Sequence, residues 1–186
     1  MRLLGLLWFC FGNDAGLPRV NARSLGLCLV IFTSGLFSIG VEQAVARDGD
    51  QLAGLWTYRS FHNNPSLVTG NEQTALSLFF AEATFSFVIG KNNDVSGALD
   101  WDGGGLDIRG TVRPTTDGSP LAVELVGTGR AGTQTENWEY DYLGFLAPNW
   151  SSGVNQIPAL VGTVLRAKPH GGAPAGYVAS FIAVKH

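Results

Sequence analysis

Clusters of Gly, Asn, Asp and Pro interrupt this chain at short, regular intervals from residue 52 onward. The segments between them are rich in Val, Ile, Thr, Phe and Trp, which are enriched in β-strands, whereas the clusters are typical of turns. Eight such segments are Leu52–Ser60, Ala83–Ile89, Val95–Trp101, Leu106–Arg113, Leu121–Gly127, Gln134–Leu146, Leu160–Ala167 and Tyr177–Val184. Short connections join neighbouring antiparallel strands. The pattern therefore predicts an all-β fold in up-and-down order.

Glycines inside the predicted strands bear on whether the sheet closes. Gly97, Gly110, Gly127 and Gly162 each lie within one of the segments, and a glycine within a strand often marks a place where the sheet bends. This favours a closed antiparallel up-and-down β-barrel of about eight strands, with a β-sandwich as the alternative. A further segment, Thr74–Phe80, fits either a short ninth strand or a helical turn.

The first 46 residues have the features of an export signal. An apolar run, Leu25–Val41, follows two arginines and precedes Gln43-Ala44-Val45-Ala46, which has small residues at both positions expected before a cleavage site. We predict cleavage after Ala46 and a periplasmic or extracellular destination, with residues 47–186 as a single barrel domain. The alternative is an uncleaved membrane anchor, for which the run is short of the roughly 20 residues of a spanning helix.

Cysteine and charge content limit the classes of function. Cys10 and Cys28 are the two cysteines of the chain, and both lie in the predicted signal. The barrel must therefore be stabilised by its core rather than by disulfides. The net charge is −3 and the basic residues are scattered singly, so the sequence lacks the basic stripe of a nucleic-acid-binding protein.

The first predicted strand carries Gly54-Leu55-Trp56. This resembles the G-x-W signature of the calycin superfamily, which includes lipocalins and avidin-like barrels, and the predicted strand number agrees with it. The resemblance implies that Trp56 closes one end of the barrel and that a basic residue from near the end of the chain packs across it. Arg166 is the first candidate for that structural pair, and Lys185 is the other. Because Tyr58 departs from the avidin pattern, biotin binding is not implied.

The most distinctive stretch is Trp138-Glu139-Tyr140-Asp141-Tyr142. Strand alternation places the three aromatic residues on one face and the two acids on the other. If the aromatic face points inward, it lines an apolar pocket. If the acidic face points inward, it supplies buried carboxylates with raised pKa values that are suited to acid–base chemistry. The sequence leaves the orientation open.

Three functions follow from these observations. The first is an exported barrel that binds a small apolar or aromatic ligand, with the ligand-binding residues Trp56, Tyr58, Trp138, Tyr140 and Tyr142. The second is a structural or oligomerising barrel filled by side chains, and the third is a cyclase- or isomerase-type enzyme. No catalytic, cofactor or metal motif is assigned. The acidic stretch Asp100–Asp107 is interpreted as a hairpin turn, and the three histidines as separate loop or terminal residues.

Overall fold

A computed structural model describes residues 48–113 and 118–186. A 3-10 turn, Asp48–Leu52, precedes the first strand, and a short helix, α1 (Glu72–Ser77), follows it. The strands are β1 (Gly54–His62), β2 (Phe79–Ile89), β3 (Asp94–Trp101), β4 (Gly104–Arg113), β5 (Ala122–Gly129), β6 (Glu139–Leu146), β7 (Ala159–Arg166) and β8 (Val178–Lys185). The predicted signal and its cleavage point lie outside the described residues.

The described strands form one closed antiparallel barrel. Each strand pairs with the next in sequence, and β8 returns to pair with β1 through the register Trp56–Lys185 to His62–Ala179. The predicted fold class, an eight-stranded up-and-down barrel, is confirmed. None of the helices in the described ranges is long and apolar enough to cross a membrane.

Two segments differ in detail from the strand pattern. Thr74–Phe80, which fitted either a strand or a helical turn, contains the end of α1 and the start of β2; Asn71 caps the helix by accepting a hydrogen bond from the Thr74 backbone N–H. The aromatic strand begins at Glu139, not at Gln134. The residues before it form turns, in which Asn137 has a φ of +67° that Asn tolerates better than most residues.

Close approach of neighbouring strands explains two of the strand glycines. A Cβ at Gly110 would overlap the backbone carbonyl oxygen of Glu124 on β5. A Cβ at Gly162 would likewise overlap the carbonyl oxygen of Leu143 on β6. At these points the coiled sheet has no room for a side chain.

Alternation along the strands places a row of apolar side chains inside the barrel. The two ends of the barrel interior differ in what covers them. At one end the 3-10 turn covers the opening, and Leu52 and Trp56 are fully buried there. Phe85 and Phe87 stack with their ring centroids 4.8 Å apart and fill the adjacent interior. Large buried side chains therefore fill much of this closed end.

Candidate functional site

The open end of the barrel contains a cavity of about 370 Å³. Its floor consists of side chains that are almost fully buried: Tyr58, Ala83, Leu99, Leu106, Tyr142 and Val164. Its mouth is lined by partly buried residues, mainly Phe80, Trp101, Trp138, Arg166 and His170. The volume lies within the usual range for sites that hold small organic molecules.

Strand β6 turns its aromatic face toward this cavity. Tyr140 and Tyr142 line the cavity, while Asp141 borders a shallow groove on the outer wall. Glu139 also faces away, with a carboxylate oxygen 2.6 Å from Nζ of Lys168. The orientation that the sequence left open is therefore aromatic side inward, and the alternative of inward carboxylates at 139 and 141 is wrong.

Three flat rings form one wall of the mouth. The ring centroids of Trp101 and Trp138 are 6.3 Å apart with 21° between their planes. His170 stacks on Trp138 at 3.8 Å and 17°. His170 comes from the turn between β7 and β8, which Gly171 and Gly172 complete with positive φ angles. Because the rings are stacked on one another, this wall is a single aromatic stack and not one flat surface.

The Tyr140 hydroxyl joins this wall to Arg166. It lies 2.8 Å from Nε2 of His170, and Nε–H of Arg166 donates to it over 3.4 Å. Burial, and secondarily the positive charge of Arg166, lowers the pKa of His170 below its usual value. His170 is therefore mostly neutral at pH 7, where it can accept the hydroxyl proton of Tyr140 while that oxygen accepts from Arg166.

Arg166 is held against aromatic rings at the cavity mouth. Its guanidinium carbon lies 6.0 Å from the ring centroid of Phe80 and 5.7 Å from that of Tyr177. One terminal nitrogen, Nη1, donates to the carbonyl oxygen of Pro174 over 3.3 Å. Tyr177 is in turn oriented by His62, whose Nδ1 lies 2.5 Å from the Tyr177 hydroxyl. These contacts restrict where the guanidinium can point.

The floor of the cavity is buried and uncharged. Burial raises the pKa of Tyr58 and of Tyr142 well above the usual value for a phenol, so both hydroxyls stay protonated throughout the physiological range. The two rings meet edge to face, with centroids 6.1 Å apart, and Tyr58 meets Phe85 in the same way at 5.1 Å. The floor can therefore offer hydroxyl groups but no negative charge.

The residues singled out from the sequence divide between the two ends. Tyr58, Trp138, Tyr140 and Tyr142 come together around the cavity, whereas Trp56 is buried at the closed end. There Nε1–H of Trp56 donates to the Leu52 carbonyl oxygen over 2.8 Å. The closing Trp of the calycin resemblance thus has a structural place here, away from the cavity.

The strand register shows that the predicted contact between Trp56 and Arg166 is wrong. Trp56 lies opposite Lys185 on β8, and Nζ of Lys185 is 5.6 Å from the centroid of the Trp56 ring. Arg166 ends β7 at the open end of the barrel, because β7 runs antiparallel to β8. Lys185, the second candidate, takes the position across the indole.

Along with Phe80 and Trp101, His170 is a site residue that sequence reasoning missed. It was interpreted as an isolated loop histidine, and its spacing from Trp138 and Tyr140 carries no recognisable signal. The antiparallel pairing of β6 with β7 places Tyr140 opposite Arg166, and this brings the β7–β8 turn beside the start of β6, where the Ala167 N–H donates to the Glu139 carbonyl oxygen over 2.9 Å.

Two aspartates of the acidic stretch at residues 100–107 form ion pairs with another residue of the barrel. Asp100 and Asp107 each have a carboxylate oxygen 2.8 Å from a nitrogen of Arg130. Within residues 48–113 and 118–186, no three His, Cys, Asp or Glu side chains cluster as a metal site would require.

Comparison with known proteins adds no assignment: no protein family, no curated protein and no solved structure matches this chain significantly. The eight-stranded up-and-down barrel is compatible with a calycin-like fold.

Proposed function

We propose that this protein is an exported, calycin-like carrier of a small, flat, apolar ligand, which it holds at the open end of the barrel. The observation that carries the proposal is the cavity of about 370 Å³ with a buried apolar and aromatic floor. Cavities of this kind, with a few polar groups at fixed positions, are typical of small-molecule sites.

The shape of the ligand follows from the wall of the mouth. Trp101, Trp138 and His170 line the cavity as an aromatic stack, and aromatic rings pair favourably with one another edge to face or offset, so this lining favours an aromatic ligand. The Tyr58 and Tyr142 side chains limit the depth to which it can enter. A bicyclic aromatic molecule matches these limits better than a long flexible chain.

The same features favour binding over the two alternatives. A purely structural barrel would need side chains throughout its interior, but here one end contains a cavity of about 370 Å³. The proposed acid–base enzyme required Glu139 or Asp141 in the cavity, and these residues face outward. Export is the remaining part of the proposal and rests on the apolar run and the Ala44-Val45-Ala46 ending of the first 46 residues.

Native mass spectrometry of the protein, purified gently from the cells that produce it, tests both parts. We expect an added mass that disappears on denaturation, and an intact mass that begins at Arg47 in the exported fraction. An unprocessed chain confined to the cytoplasm would contradict export.

A pair of Trp substitutions locates the ligand. Ala81 lines the cavity, whereas Ser96 is exposed on the barrel wall. We expect Ala81→Trp to abolish the added mass and Ser96→Trp to retain it, with both variants showing the circular dichroism of the native barrel. Equal retention in both variants would contradict a ligand inside the cavity. A ligand-free protein that also fails to bind naphthalene derivatives would contradict the carrier function altogether.

A further inference from the structure

We infer that the ligand is an organic monocarboxylate with a flat apolar body, and that Arg166 binds its carboxylate at the mouth of the cavity. This inference rests on the proposed carrier function and specifies the chemical class of the ligand.

The charges around the mouth leave one cation without a partner of opposite sign. Glu82, the acidic residue that lines the cavity, pairs with Arg59 at 2.5 Å. Glu139 pairs with Lys168 on the outer side. Arg166 forms no ion pair with any described residue. A charge that is held partly out of water without a counter-ion favours binding of an anion.

Arg166 is also arranged to receive a carboxylate and not merely to attract one. The Phe80 and Tyr177 rings lie against the guanidinium, and its Nε–H and Nη1 donate to Tyr140 and Pro174. Because four contacts hold the planar group in one orientation, less side-chain entropy is lost when a ligand binds. A guanidinium in a fixed orientation matches the two oxygens of a carboxylate better than an ammonium does.

The neighbouring polar groups do not compete for the anion. His170 is mostly uncharged at neutral pH and stacks flat on Trp138. The Tyr140 hydroxyl lies between His170 and Arg166, at 2.8 Å from Nε2 and 3.4 Å from Nε. A ligand carboxylate at Arg166 would therefore lie at the edge of the aromatic lining, so one molecule can place its charge on Arg166 and its flat body inside the cavity.

Binding of naphthoate and of its neutral isostere naphthamide tests this inference, measured by isothermal titration calorimetry at pH 7.5. The two probes share the flat body and differ in charge. We expect wild-type protein to bind naphthoate about tenfold to a hundredfold more tightly than naphthamide, as for a hydrogen-bonded charge pair. Arg166→Gln should remove this preference while naphthamide affinity is kept, and Arg166→Lys should restore part of it.

Lys168→Gln is the matched control, since it removes the same charge from the same segment of chain, at a side chain paired outside the cavity. It should leave the naphthoate preference within about twofold of wild type. Equal wild-type affinity for both probes, or a preference that survives Arg166→Gln, would overturn the inference while the carrier function stands. Failure of wild-type protein to bind either probe would instead count against the carrier function itself.

Discussion

Substitution of Trp56 by Phe tests the assignment of Trp56 to the closed end of the barrel, where it stabilises the fold without contacting the ligand. The Trp56 side chain is completely buried, and its indole N–H donates to the carbonyl oxygen of Leu52, which is 1% exposed. Phe lacks that donor, so the buried carbonyl loses its side-chain partner at a cost of about 1–3 kcal/mol. The smaller ring also leaves unfilled volume, which adds about 1 kcal/mol.

We therefore expect Trp56→Phe to lower the free energy of unfolding by about 2–4 kcal/mol, measured by urea denaturation and far-ultraviolet circular dichroism. Trp150→Phe is the control, because the Trp150 side chain is 78% exposed in a loop; it should change stability by less than about 0.5 kcal/mol. Naphthoate affinity should be the same in wild type and Trp56→Phe at temperatures where both are folded. A Trp56→Phe variant as stable as Trp150→Phe, or one that selectively loses ligand affinity, would refute this assignment.

Three further predictions concern the strand glycines, His170 and a surface ion pair. Gly162→Ala should lower the free energy of unfolding by more than the roughly 1–3 kcal/mol that is typical of overpacking, because the new Cβ meets backbone atoms. Gly144→Ala is the control and should cost less, because its Cβ meets side chains at 3.0–3.2 Å. Equal losses of the two variants in thermal unfolding would argue against strand proximity as the cause. Folding lowers the pKa of His170. Its contribution to stability is therefore full above the unfolded pKa of about 6.5 and is lost as pH falls through the folded pKa. His170→Gln should reduce the drop in melting temperature between pH 7 and pH 5.5, and an unchanged drop would exclude this role. Both side chains of the Arg113–Glu124 ion pair are more than half exposed. Glu124→Gln, which removes this pair, should change the free energy of unfolding by less than about 1 kcal/mol in urea titrations. A larger loss would show that the pair is not screened by solvent.

Sequence reasoning predicted most strand positions because the relevant signals are local. Val95–Trp101 and Leu106–Arg113, for example, differ from β3 and β4 only at their first residues. Turn residues and side-chain alternation act over a few neighbours, so they can be recognised without knowing the fold. The aromatic strand was predicted five residues too long at its start, because Trp138 continues the aromatic alternation of Tyr140 and Tyr142, whereas Asn137 before it adopts a left-handed turn.

The candidate site was predicted less completely than the strands, because some of its residues come together only through strand pairing. Tyr58, Trp138, Tyr140 and Tyr142 were identified as a group because aromatic side chains on alternating positions belong to one face of a strand. Arg166 was assigned to Trp56 by resemblance, although the register sets it at the other end of the barrel. His170 has no local pattern that distinguishes it from a solvated loop histidine.

The sequence by itself therefore determined the strand order, the approximate strand boundaries and the aromatic residues that share a face, because these depend on turn chemistry and a two-residue repeat. Tertiary structure decided which face of β6 points inward, which end of the barrel is filled and which cation meets which ring. Those outcomes depend on how β8 pairs with β1 and on how the 3-10 turn covers one opening. Closure joins residues more than 100 positions apart, such as Trp56 and Lys185, and no short-range pattern specifies such a contact.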